Sequence, residues 1–120
     1  MKLKEIVEKF DLKVRCNADK LGVEVHSGYV SDLLSDVLAN SNENDLWITL
    51  QIHPNITAIA SMKGLSGIVI INDREPEEET IKKAEEKGIP IMVSRMTAFE
   101  LSGRLYALGL SGTENDNEGI

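Results

Sequence analysis

Gly67-Ile68-Val69-Ile70-Ile71, followed by Asn72-Asp73-Arg74-Glu75-Pro76 and a charged stretch that closes at Gly88, decides the fold. Ile68 to Ile71 is an unbroken β-branched run with no polar alternation. Such a strand must be covered on both faces, the habit of parallel sheets flanked by helices. Pro76 opens a helix whose acids Glu77, Glu78 and Glu79 precede Lys82, Lys83 and Lys87. That order complements the macrodipole, and Glu78 with Lys82 and Glu79 with Lys83 are i, i+4 pairs on a solvated face. The same unit of strand, polar loop, helix start and closing Gly recurs on either side. Upstream, Leu46 to Leu50 leads to Pro54, inward Ile56, Ile59 and Ala60, and Gly64. Downstream, Ile89 to Val93 leads to Thr97, whose spacing to Glu100 fits a capping box, and to Gly109. Pro or Thr at the start and Gly past the end are the expected helix punctuation. Strands alternating with helices give an α/β layered fold, and right-handed crossovers make successive strands parallel.

Toward the amino end, Leu3, Ile6, Val7 and Phe10 form the stripe of a first helix. Leu12, Val14 and Cys16 alternate with polar residues, as do Val23 and Val25, which predicts two short half-buried strands. His26-Ser27-Gly28-Tyr29 reads as a turn, and Ser31 as the N-cap of a helix burying Leu33, Leu34, Val37 and Leu38 before Asn40 to Asn44 ends it. The expected architecture is three-layer α/β/α with a mostly parallel sheet of about five strands. Residues 1–110 form one domain in this reading, and the polar, acidic residues 111–120 a disordered tail. Trp47 and Cys16 are expected in the core, the thiol as a structural one.

Composition narrows the function. Thirteen Lys plus Arg face twenty Asp plus Glu, a net charge of −7, and the cations are scattered rather than clustered. Binding to nucleic acid or to an acidic membrane surface is disfavoured. One Cys makes no internal bridge, and neither an apolar leader nor about 18 consecutive apolar residues occurs, so a soluble cytoplasmic protein is expected.

In an open parallel sheet, ligands bind beyond the carboxyl ends of the strands. The loops there are Gln51 to Asn55, Asn72 to Glu75 and Ser94 to Thr97, with His26 to Gly28 as an expected fourth. They offer His26, Ser27, Gly28, His53, Asn55, Asn72, Asp73, Arg74, Ser94, Arg95 and Thr97. Arg74, Arg95 and the helix N-termini suit a phosphate or carboxylate. Against this stands a plainer reading: Asn72 and Asp73 as turn formers, Thr97 as a cap and the arginines as solvated. His26, Ser27 and His53 lack an orienting carboxylate and a G-x-S-x-G elbow, so hydrolase chemistry has little support. Two His without a spaced Cys or acid make no metal motif, and neither G-x-x-x-x-G-K-[ST] nor G-x-G-x-x-G occurs. No metal or cofactor is expected. In the last helix Ala98, Leu101, Leu105 and Leu108 make one apolar stripe, and Phe99, Tyr106 and Leu110 extend a second, a candidate interface for a homodimer.

Gly28-Tyr29-Val30-Ser31-Asp32-Leu33-Leu34-Ser35-Asp36-Val37, Asp45-Leu46-Trp47-Ile48-Thr49-Leu50, Gly67-Ile68-Val69-Ile70, Pro76-Glu77, Ala84-Glu85, Gly88-Ile89-Pro90 and Thr97-Ala98-Phe99-Glu100 together resemble a stand-alone DRTGG domain. The resemblance runs from about Leu3 to Leu110 and extends to the N-terminal domain of HPr kinase/phosphorylase and, more distantly, of Mur ligases. It implies a regulatory or assembly module without catalysis, since such domains accompany CBS domains or sit inside phosphotransacetylase-type proteins. The name-giving Asp-Arg-Thr-Gly-Gly falls in the loop after Leu46 to Leu50, where this chain reads Ile52-His53-Pro54-Asn55. The expectation is therefore a non-enzymatic module that binds a small ligand or protein partner through its strand-end loops. The alternatives are a nucleotide or phosphorylated-metabolite sensor and, last, a small enzyme.

Overall fold

Alternation along the strands sorts every inward side chain to one of two cores. In the computed structural model, which describes residues 1–112, Leu46 and Ile48 point to one face of the sheet and Trp47 to the other. The elements are α1 (Leu3–Lys9), β1 (Lys13–Cys16), β2 (Ser27–Val30), α2 (Leu34–Asn40), β3 (Asp45–Thr49), α3 (Asn55–Lys63), β4 (Gly67–Ile70), α4 (Glu78–Lys87), β5 (Ile91–Val93) and α5 (Ala98–Leu108). One five-stranded sheet runs in the order β1-β5-β4-β3-β2. β2, β3, β4 and β5 are parallel, and β1 closes the far edge antiparallel to β5. Val37, Ile56, Ala60 and Ala84 bring α2, α3 and α4 against Trp47, Ile68, Ile70 and Ile91 on one face. Leu3, Ile6, Leu101 and Leu105 bring α1 and α5 against Leu46, Ile48, Val69 and Met92 on the other. The three-layer α/β/α architecture is the one expected.

The helix ends follow the punctuation. Gly64 and Gly88 take left-handed φ of 65° and 69°, and their N–H groups return to the last turns of α3 and α4. Gly, having no Cβ, adopts that conformation most readily. Thr97 Oγ1 accepts from Glu100 N at the start of α5.

Three expectations are corrected. Val23 and Val25 do not join the sheet: their backbones bond to the chain start, Leu3 N to Val23 O at 2.9 Å and Val25 N to Met1 O at 2.7 Å. The edge strand is instead Ser27–Val30, the segment that reads as a turn, because a strand gaining a full parallel ladder from β3 tolerates Ser and Gly. The helix after it starts at Leu34 without a side-chain cap; Leu33 and Leu38 lie exposed, and Val37 is its buried residue. Ser31 Oγ accepts instead from Leu33 N, the residue just before the helix. Beyond α5, Gly28 N donates to Ser111 O and Gly112 bridges Gly28. Residues 113–120 of the expected tail lie outside the described residues.

Candidate functional site

All the parallel strands end on one edge, so the loops after β3, β4 and β5 converge there. His53, Asn55, Asn72, Asp73, Arg74, Ser94, Arg95 and Thr97 lie along it. His26, Ser27 and Gly28 do not: they sit at the amino end of β2 beside Asp45, the first residue of β3, on the opposite edge. The turn reading put them beyond a strand; the strand starts with them. Ser27 Oγ donates to Asp45, whose buried carboxylate also accepts from Asn42 N at 2.8 Å. A cavity of about 320 Å³, lined in part by His26, Ser27 and Asp45, opens on this amino edge.

A switch point arises where adjacent strands feed helices on opposite faces, and ligands then enter the crevice between their carboxyl ends. Here α2, α3 and α4 share a face, so the switch falls between β4, which feeds α4, and β5, which feeds α5. That crevice is closed by main chain. Asp73 N donates to Ser94 O at 2.8 Å, Asn72 N to Met96 O at 2.9 Å, and Ser94 N to Ile70 O at 2.8 Å. Asn72 and Asp73 hold positive φ of 59° and 56°, the left-handed turn for which short polar side chains are suited. Ser94 is buried, and its Oγ accepts from Met96 N at 3.1 Å.

Lys13, Arg15 and Arg74 are engaged by the chain itself. Lys13 Nζ reaches Asp73 Oδ1 at 2.9 Å, and this bond is the chief reason the Asp73 carboxyl sits below its ordinary range. Arg15 makes a two-pronged pair with Glu75 at 2.7 and 2.6 Å, which raises the guanidinium further. Arg74 Nη1 donates to Leu50 O at 2.6 Å, fastening the β3 loop to the β4 loop. His53 Nδ1 accepts from Asn55 N at 3.2 Å, and Ile56 N and Thr57 N turn back to His53 O and Pro54 O, so the first turn of α3 is satisfied internally. Arg95 is exposed and makes no hydrogen bond or ion pair among the described residues, although its charge helps to lower Asp73.

Sequence reasoning missed Asp32. Its Oδ1 accepts from Thr49 Oγ1 at 2.8 Å and from Leu50 N at 2.7 Å, and its carbonyl accepts from Gln51 Nε2 at 2.9 Å. It thereby holds the loop that carries His53. Its neighbour Ser31 carried the cap expectation, and nothing in the spacing couples residue 32 to residue 49. Lys13 and Arg15 were likewise unread as partners of a loop sixty positions away.

The expected interface residues divide. Phe99 is 89% and Tyr106 71% exposed, whereas Leu110 is buried in the core with Leu105, because the chain turns inward after Gly109 to meet β2. Between α5 and β2 lies a second cavity of about 150 Å³, lined by Gly28, Val30, Ile48, Leu105, Tyr106 and Leu110 among others. Among the described residues no group of three or more His, Cys, Asp or Glu could hold a metal ion, and no helix is long and apolar enough to cross a membrane.

No protein-family profile matches the sequence. Comparison with curated protein sequences also finds no match. Among solved structures, the chain is similar to the CBS and DRTGG domains of the regulatory region of a Clostridium perfringens pyrophosphatase, in complex with the activator diadenosine tetraphosphate. The TM-score is 0.66 at 17% identity, over 97% of this chain and 51% of that one. The chain thus spans about half the length of the structure it matches, and the fold agrees with the DRTGG resemblance. That neighbour is a regulatory region rather than a catalytic one.

Proposed function

We propose that this chain is a non-catalytic regulatory or assembly module that acts through contacts, including pairing with a second copy, rather than through chemistry. One observation carries the reading. The strand-end edge, where an α/β sheet usually holds its ligand, is closed by backbone hydrogen bonds and neutralised by the pairs Lys13–Asp73 and Arg15–Glu75, while α5 exposes Phe99 and Tyr106 to solvent. A general base needs its proton-transfer partner within hydrogen-bond reach. His53 spends Nδ1 on the backbone of its own loop, and His26 lies on the other edge. The test is incubation of the purified protein with nucleotides and phosphate monoesters, followed by phosphorus NMR. No product is expected, and turnover that disappears in His53→Ala overturns the reading.

A second reading is favoured by the nucleotide activator of the similar regulatory region. In it, Arg95 and the first turn of α5 bind a phosphate-bearing ligand, with Arg74 holding the loops in place. Titration calorimetry with diadenosine tetraphosphate is expected to show saturable binding that Arg95→Ala weakens. Binding unchanged in Arg95→Ala, or none at all, removes it.

A further inference from the structure

The exposed face of α5 is centred on Phe99, Gly103 and Ala107, spaced i, i+4, i+8 opposite the buried Leu101 and Leu105. Gly is disfavoured inside an exposed helix relative to Ala. Among the described residues nothing requires it at 103, since a Cβ there would meet no atom of theirs within 4 Å. We propose that this face packs antiparallel against α5 of a second copy, crossing at Gly103, so that Phe99 of each protomer lies over Ala107 of the other. The pattern is self-complementary, one large residue followed by two small ones. A twofold axis through Gly103 brings large onto small twice, as an isologous interface requires.

Area and charge fit this occupant. At roughly 150–250 Å² per aromatic side chain, Phe99 and Tyr106 at 89% and 71% exposure bring about 500–800 Å² from two protomers. Gly103, Arg104 and Ala107, exposed on the same helix, must supply the rest of the ~1,000 Å² that a specific interface needs. The net charge of −7 would oppose self-association, but Glu100 is paired with Arg104 at 3.0 Å on this face, leaving it locally neutral. The inference rests on the reading of the chain as a module that pairs with its own copy.

The experiment is sedimentation velocity of the full chain over a wide concentration range, with Gly103→Arg as the variant. The fold of Gly103→Arg should be unchanged, because the position faces open space among the described residues. The unmutated chain is expected to move from the 13.2 kDa monomer to twice that mass, and Gly103→Arg to raise the dissociation constant by about tenfold or more. Cross-linking fixes the direction. Gly103→Cys is expected to form a disulfide with its own copy, and Phe99→Cys mixed with Ala107→Cys to form the heterodimer preferentially, since bridged Cα atoms must lie about 4.4–6.8 Å apart. Self-cross-linking of Phe99→Cys in preference to the mixed pair, or a dimer untouched by Gly103→Arg, overturns the antiparallel pairing. A monomer at every concentration overturns it as well, while the non-catalytic reading then stands or falls on the turnover assay alone.

Discussion

Asp32 tests whether the strand-end loop is held by the residue that the structure identifies. Asp32→Ala removes the acceptor of Thr49 Oγ1, a buried hydroxyl, and of Leu50 N. Hydrogen bonds to a charged group contribute about 1.5–3 kcal/mol each when shielded, and less where the carboxylate is solvated, as Asp32 is. The pair together is therefore worth about 2 kcal/mol. With an unfolding entropy of about 2.1 cal/mol/K per residue, that loss lowers Tm by roughly 8 °C for a domain of this length. In urea it moves the midpoint by about 1 M. Asp32→Asn keeps an oxygen acceptor without the charge and is expected to lose about half as much. Hydrogen exchange gives the local readout: the Leu50 amide should lose protection in Asp32→Ala, while amides of β4 change only with the global stability. If both variants stay within about 0.5 kcal/mol of the unmutated chain and Leu50 remains protected, Asp32 does not anchor the loop.

Three further outcomes are expected. Burial raises the Cys16 thiol above its ordinary range, so it should react with iodoacetamide only as fast as the chain opens; rapid labelling of the native protein at mildly alkaline pH would contradict its burial. Because Lys13 depresses the Asp73 carboxyl, the stability of that pair is present above the unfolded pKa of about 3.9 and is lost as pH falls through the lower folded value. Lys13→Gln should therefore flatten the acid limb of a urea-midpoint profile, and an unchanged limb would discount the pair. Leu110→Glu places a charge in the core and should cost on the order of 3–5 kcal/mol or prevent folding, while Tyr106→Glu should fold normally and weaken only self-association.

Element existence was legible wherever one local signal sufficed. The run Ile68 to Ile71, the left-handed positions at Gly64 and Gly88 and the Thr97 cap each depend on residues within a few positions of themselves. What stayed hidden depends on partners far along the chain. Val23 and Val25 have the same alternation as a sheet strand, but it is the chain start that they bond, and no periodicity distinguishes the two. Ser27-Gly28 resembles a turn until β3 supplies its ladder. Of the residues named for the candidate site, eight lie along the carboxyl edge of the sheet, and His26, Ser27 and Gly28 lie on the other because one strand was placed four residues early. The commitment of Arg74 to Leu50 O could not be read at all, since a free arginine and a tethered one have the same spelling.

The direction of the crossovers then limits where a ligand or a partner can act. Three successive right-handed steps in one direction place α2, α3 and α4 on a single face, so the crevice that doubly wound sheets open in their middle has one possible position here, between β4 and β5. Closing that position uses the backbone of Asn72, Asp73 and Ser94, groups that a substitution of side chains does not remove. A phosphate entering there would have to break those bonds or displace Asp73 from Lys13, and each costs free energy that one exposed Arg95 must repay. The surface of α5 carries no such cost. It is already formed, it is neutral, and its aromatic side chains are exposed to water in the isolated protomer, so covering them is favourable from the start. Between two candidate surfaces on one fold, the contact that needs no rearrangement is the one we expect to form at the lower concentration.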